Sequence, residues 1–232
     1  MNTARMTASD VGAAAPLTRL KNAGTAPARR MVTALVAVSL ALWILGSSAA
    51  VLAAGPEDSV HNLYVTLLGT MKEVPNLGQS GRFARIEPVV RRLFDLPLMA
   101  RLAVGASWAA LSSAQQQQVA TAFGGYISAT YADRFGSYSG QQLKVTGQQP
   151  SGLGVLVRTR IVKASGESVS IDYLMRQNQD AWLISDIYLD GTISQLAIQH
   201  SEFGAILRRE GFDGLITALN RKVDLLTVAK AS

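Results

Sequence analysis

The chain has 232 residues, and its formal net charge of +6 comes from 22 Lys and Arg against 16 Asp and Glu. Residues 1–54 hold five of the Lys and Arg and one Asp, which leaves only +2 for residues 55–232. The two signs are interspersed there, so the basic patch that nucleic-acid binding requires is missing. No cysteine is present, and His61 and His200 lack the spacing of metal ligands. We therefore expect no nucleic-acid partner, metal, cofactor or disulfide.

The region 31–54 contains no charged residue and directly follows Arg29 and Arg30. A basic start, an apolar stretch and an end in small residues are the three parts of a secretory signal peptide. We predict that residues 1–54 are such a peptide, cleaved after Ala53 or Ala54, and that residues 55–232 form one domain in the bacterial periplasm. The same stretch is long enough to span a bilayer as an uncleaved anchor, although its small residues favour cleavage.

Beyond this region the hydrophobic residues recur at helical spacing, then alternate, and then return to helical spacing. The pattern predicts helices over 59–74, 82–94 and 96–103, and a long helix over 112–135 that opens with a capping box of Ser112 and Gln115. Strands are predicted over 142–147, 155–162, 168–176 and 181–189, and helices over 192–209 and 212–228. The glycine-rich segment 147–154 is a candidate mobile rim.

Short connections between the strands indicate an antiparallel meander. Helices, then a sheet, then helices are typical of an α+β domain whose helices cover one side of the sheet. We therefore predict a curved antiparallel sheet of about four strands wrapped by helices and enclosing an apolar cavity.

Two blocks of sequence resemble the MlaC-like family, also called the toluene-tolerance family. The first runs from Phe94 to Gly105 and continues to Trp108, and the second includes Trp182 to Ile187 and Asp190 to Ser194. The resemblance covers about residues 63–226, and residues 67–83 are most similar to the branch associated with hopanoid biosynthesis.

This resemblance implies a monomeric periplasmic carrier, not an enzyme, whose cargo is a phospholipid or a hopanoid. It also implies exchange of that lipid with a membrane transport complex, with inner-membrane components of an ABC or RND transporter as partners. The lipid would be held by apolar and tyrosine side chains from the family block, the long helix and the strands. Our candidates are Met99, Leu102, Trp108, Phe123, Tyr126, Ile127, Tyr131, Val157, Ile171, Tyr173, Ile184 and Tyr188.

Ordinary close packing would place the same residue types in the same pattern, so each candidate is also typical of a filled core. A solid core would favour a non-lipid adaptor that docks components of a transport system. An isomerase or dehydratase would need a buried carboxylate base with a hydrogen-bond donor opposite it. Asp172 and Asp186 are the candidate bases, with Tyr173 or Tyr188 as donor. Because both aspartates adjoin large apolar strand residues, we expect them to point away from the interior.

Overall fold

The computed structural model describes residues 55–228, so the predicted signal peptide lies outside the described residues. Four helices come first, then a sheet, then a last helix. The helices are α1 (Pro56–Lys72), α2 (Val74–Leu93), α3 (Leu96–Val104), a 3₁₀ turn (Gly105–Ala110), α4 (Ser113–Arg134) and, after the sheet, α5 (Gln195–Val228). The strands are β1 (Gln142–Ser151), β2 (Gly154–Val162), β3 (Ser168–Asn178), β4 (Ala181–Leu189) and β5 (Ile193–Ser194). The α+β prediction is confirmed.

The helix boundaries follow local capping signals. Ser112 accepts a hydrogen bond from the Gln115 N–H at 3.3 Å, and the Gln115 side chain accepts one from the Ser112 N–H at 2.9 Å, which is the predicted capping box of α4. Asp95 caps α3 by accepting from the Leu98 N–H at 3.2 Å. The helix predicted over 82–94 is part of α2, which begins earlier, at Val74, and contains Pro88 in its interior.

The sheet is antiparallel in the order β1-β2-β3-β4-β5. Two of its features differ from the prediction. First, β1 continues to Ser151, which pairs with Gly154, so the expected mobile rim at 147–154 is the closed end of a hairpin. Secondly, β5 adds a short fifth strand, with Ser194 opposite Tyr188. Its two residues are too few for a periodic pattern to reveal them.

One hydrophobic core joins the inner face of the sheet to the helices. Val157, Tyr173 and Ile184 on the strands are fully buried, as is Phe123 on α4. The segment that enters α3 is tied to the sheet, because the Asp95 N–H donates to the Ile184 carbonyl at 2.9 Å. Within 55–228 no helix has both the length and the apolar character needed to cross a membrane.

Candidate functional site

A cavity lies between α4, the inner face of β3 and β4, and the first turns of α5. Its volume is about 60 Å³. For comparison, an apolar cavity of about 150 Å³ holds one benzene molecule. A small cavity is therefore present between the helices and the sheet, but it is much smaller than a hydrocarbon tail requires.

Helix α4 supplies the longest wall of the cavity. Residues three and four apart share one face of a helix, and here that face runs along the cavity. The residues contributed by α4 and its C-terminal cap are Tyr126, Ile127, Thr130, Tyr131, Arg134 and Phe135. This wall is apolar and aromatic in the middle and carries a cation, Arg134, at its exposed end.

The sheet supplies the opposite wall through Ile171 on β3 and Ile187 and Leu189 on β4. Leu174 pairs with Asp186, whereas the next residue, Met175, pairs with Ile184, so Ser185 is an extra residue in β4. Such a bulge changes which residues face each side of the strand. It brings Ile187 to the cavity wall although it is three residues beyond the buried Ile184.

The start of α5 closes the cavity and is fixed to the sheet by Asp186. Its carboxylate accepts from the Leu196 N–H at 3.1 Å, from the Ile187 N–H at 2.7 Å and from the Ser194 hydroxyl at 2.6 Å. Gln195 and Gln199, one helical turn apart, are the residues through which α5 lines the cavity. Asp186 therefore caps α5 and sets its position on β4.

Neither candidate catalytic aspartate faces the cavity. Asp172 is buried and accepts from the Thr159 N–H at 3.3 Å, and Asp186 is occupied by the three donors above. The expectation that both point away from the interior is wrong, because both are buried and accept hydrogen bonds from backbone N–H groups, although neither lines the cavity. The cavity wall contains no carboxylate, which the enzyme alternative requires as a base. Within 55–228 no three acidic or histidine side chains cluster as a metal site would need.

Buried tyrosines form a polar chain behind the cavity. The Tyr131 hydroxyl donates to the Tyr173 hydroxyl at 3.4 Å, while the Tyr64 hydroxyl is hydrogen-bonded to Thr159. Burial raises the pKa of Tyr64 to about 12, against the opposing effect of its hydrogen bond to Thr159. Burial also raises the pKa values of Tyr131 and Tyr173. These hydroxyls are therefore neutral hydrogen-bonding groups and not acids or bases near neutral pH.

The structure places the sequence-predicted residues in three groups. Tyr126, Ile127, Tyr131 and Ile171 line the cavity. A second group is buried in the core behind its walls: Met99, Phe123, Val157, Tyr173 and Ile184. The third group, Leu102, Trp108 and Tyr188, lies away from it, and whether any candidate contacts lipid stays a prediction.

The last group shows why spacing alone misleads. Leu102 is 42% exposed, because α3 buries Met99, Ala100 and Ala103 instead. Trp108 lies in the 3₁₀ turn, where it is partly buried and packs against the hydrophobic core. Tyr188 follows the cavity-lining Ile187 and so points to the other face of β4. Burial and the neighbouring Asp186 carboxylate raise the pKa of Tyr188.

The residues missed from sequence are mostly polar or lie beyond the bulge. Thr130 and Arg134 share the helical spacing of Ile127 and Tyr131, so periodicity would have found them had polar residues been included. Both side chains are polar, whereas the resemblance to a lipid carrier implies apolar and tyrosine side chains at the site. No local signal identifies Gln199, because its place in the cavity depends on how α5 docks on β4.

Comparison with known proteins gives two findings. A model of the MlaC protein family matches residues 62–221. The fold is also similar to that of a phospholipid-binding protein from Ralstonia solanacearum, whose structure was determined in complex with a phospholipid. The TM-score is 0.63 at 21% sequence identity, and the alignment covers 72% of this chain and 96% of that chain. At this identity the likeness establishes a shared fold.

Proposed function

The chain belongs to the MlaC family, and on that premise we propose that it is a lipid carrier that holds the apolar part of a phospholipid or a hopanoid between α4, α5 and the sheet. The observation that supports this most directly is the cavity itself, because its walls are mainly apolar and aromatic and contain no carboxylate. A protein of the same fold from Ralstonia solanacearum binds a phospholipid. The hopanoid alternative rests on the sequence resemblance of residues 67–83.

A carrier must keep hydrocarbon out of water. Each buried methylene contributes about 0.8 kcal/mol, so a phospholipid with about thirty methylenes would avoid on the order of 24 kcal/mol of exposure. The lipid has the same protection in a bilayer, so net transfer is close to neutral. The task of the protein is therefore to shield the lipid between membranes and then release it.

The small cavity implies that binding must separate its walls. Widening it from about 60 Å³ does not require breaking the pairs between β3 and β4, because α4 and α5 form the other walls. Those helices meet the sheet largely through side chains, which can move apart as lipid enters. We propose that α4 and the later turns of α5 move outward while the sheet stays intact.

The proposal extends to location and partners. Residues 1–54 would export the chain to the periplasm, where residues 55–232 would work as a soluble monomer. The lipid would pass to or from inner-membrane components of an ABC or RND transport complex. Membership of the MlaC family supports the periplasmic location, and the transport partners rest on the sequence resemblance.

The decisive experiment is extraction of the exported protein with organic solvent, followed by mass spectrometry of the extract. Stoichiometric phospholipid or hopanoid would support the carrier and identify its cargo. Protein that contains no lipid, and takes none from vesicles, would contradict it and favour the adaptor alternative, which the small cavity keeps open.

A pair of matched substitutions makes the test specific to the cavity. Ile171→Trp would fill it from β3, whereas Leu156→Trp adds the same bulk to the opposite face of β2. Both positions are partly buried, so both variants report the general effect of a large side chain on the sheet. We expect Ile171→Trp to lose bound lipid and Leu156→Trp to retain it. Equal lipid content in both would show that lipid binds elsewhere.

A further inference from the structure

One polar atom in the cavity lacks a partner. Within the part of the chain that the structure describes, Oε1 of Gln199 is the one buried side-chain oxygen or nitrogen without a hydrogen bond. Gln199 is 8% exposed and lines the cavity from α5. Buried polar groups in proteins are nearly always hydrogen-bonded, so an exception at a binding cavity points to a ligand.

The neighbouring polar groups do not supply that partner. Thr130 uses its hydroxyl proton on the Tyr126 carbonyl at 2.8 Å. The Gln195 side chain donates to the Ile193 carbonyl at 3.5 Å. Arg134, exposed at the end of α4, lines the same cavity and brings a positive charge to its solvent side. The same cavity thus combines an unpartnered acceptor, the amide oxygen of Gln199, with a cation, Arg134, that suits a phosphate.

We infer that this end of the cavity selects lipids whose polar end carries an O–H or N–H donor, with Gln199 as the residue that accepts the hydrogen bond. The inference rests on the proposed lipid-carrier function and specifies its cargo. Phosphatidylethanolamine, phosphatidylglycerol and a hydroxylated hopanoid all carry such donors. Phosphatidylcholine has a trimethylammonium group, which has no N–H to donate.

The chemistry predicts a measurable preference. A single hydrogen bond that replaces an unsatisfied acceptor should favour the donor lipid about two- to tenfold. The test is competition between phosphatidylethanolamine and phosphatidylcholine with identical acyl chains, presented at equal fractions in the same vesicles. Bound lipid is then extracted and quantified by mass spectrometry.

The variants separate the role of Gln199 from a structural one. Gln199→Leu removes the acceptor at similar volume and should abolish the preference for phosphatidylethanolamine over phosphatidylcholine, because no group is left to accept the hydrogen bond of the donor lipid. Gln118→Leu, at an exposed position of α4 outside the cavity, should keep the preference. Gln199→Met serves as a second replacement if Gln199→Leu folds poorly.

Stability provides an independent readout. An unpaired buried amide contributes nothing to folding, so Gln199→Leu should unfold at the same or a higher temperature than the unchanged protein. A lower unfolding temperature would reveal a structural hydrogen bond and overturn the inference. Equal binding of the two lipids by the unchanged protein, or a preference that survives in Gln199→Leu, would also overturn it and leave the carrier function standing. Failure of the protein to take up either phospholipid, together with an extract of the exported protein that contains no lipid, would refute both.

Discussion

Gly105, at the end of α3, is a position where one added carbon should be costly. Its backbone has φ 69° and ψ −139°, a conformation that residues with a Cβ rarely adopt. A Cβ at this position would also overlap Cε1 of His200 on α5 and lie 3.0 Å from its Nδ1. In the present structure Nδ1 of His200 donates to the Leu102 carbonyl at 3.0 Å. The Gly105→Ala substitution therefore strains the backbone and displaces His200 from its hydrogen bond.

The two effects have separate magnitudes. Backbone strain of this kind costs about 1–3 kcal/mol. Loss of the hydrogen bond between His200 and Leu102 costs about 0.5–1.5 kcal/mol. A total near 3 kcal/mol in a domain of this size corresponds to a fall of about 6–12 °C in Tm.

A double-mutant cycle with His200→Ala separates the effects. Alone, His200→Ala should cost only its hydrogen bond, about 1 kcal/mol. In the double variant the overlap is gone and the hydrogen bond is counted once, so Gly105→Ala/His200→Ala should be about as stable as Gly105→Ala alone. The free energy of unfolding of all four proteins is measured by urea titration. Strict additivity, or a Gly105→Ala variant as stable as the parent, would refute the contact and the strain on which the prediction depends.

Three further predictions concern the parts that hold the cavity together. Asp186→Ala leaves the buried N–H of Leu196 without its acceptor. It should therefore lower the free energy of unfolding, measured by urea titration, by about 2–4 kcal/mol, whereas a loss below about 1 kcal/mol would contradict the capping role of Asp186. Burial raises the pKa of Tyr64 to about 12 from 10.0 and raises those of two more tyrosines, so the unfolded chain loses phenolic protons first. The free energy of unfolding should therefore be constant below pH 10 and fall by up to about 4 kcal/mol per pH unit above it. Tyrosinate absorbance follows the ionisation, and a free energy of unfolding that stays constant to pH 12 would contradict the burial of these tyrosines. Gly211→Ala, at φ 70° and ψ −167° in the middle of α5, should cost about 1–3 kcal/mol, while Gly204→Ala in the regular part of that helix should be neutral or stabilising, as thermal unfolding will show.

The elements that were predicted well are those specified by neighbouring residues. The capping box of Ser112 and Gln115 determines where α4 begins, and alternation of Val155 and Val157 identifies β2, because both signals act within a few residues. The wrong predictions concern segments whose structure depends on residues far away in the sequence. Residues 148–151 read as a loop, yet they pair with β2 and extend β1. The helix predicted over 82–94 likewise leaves out residues 74–81, which form the start of α2.

The cavity was harder to predict than the fold. Ile127, Tyr131 and Ile171 lie where periodicity indicates, but Phe123 and Val157 have the same pattern and are fully buried core residues. Whether an apolar side chain lines a cavity or fills a core depends on the separation of the elements facing it. No spacing within one element encodes that separation.

The cavity walls are attached in different ways, and this difference determines how the cavity can open. β3 and β4 are joined by a ladder of backbone hydrogen bonds, and the start of α5 is held to β4 by the carboxylate of Asp186. Helix α4 meets the sheet through side chains, including the long 3.4 Å contact between the hydroxyls of Tyr131 and Tyr173. The separation that costs least is therefore that of α4 and the later turns of α5 from the sheet. Gln199, one helical turn after the fixed start of α5, would keep its place during this movement. On the proposed function, different parts of the cavity would therefore select the polar end of the lipid and accommodate its tail.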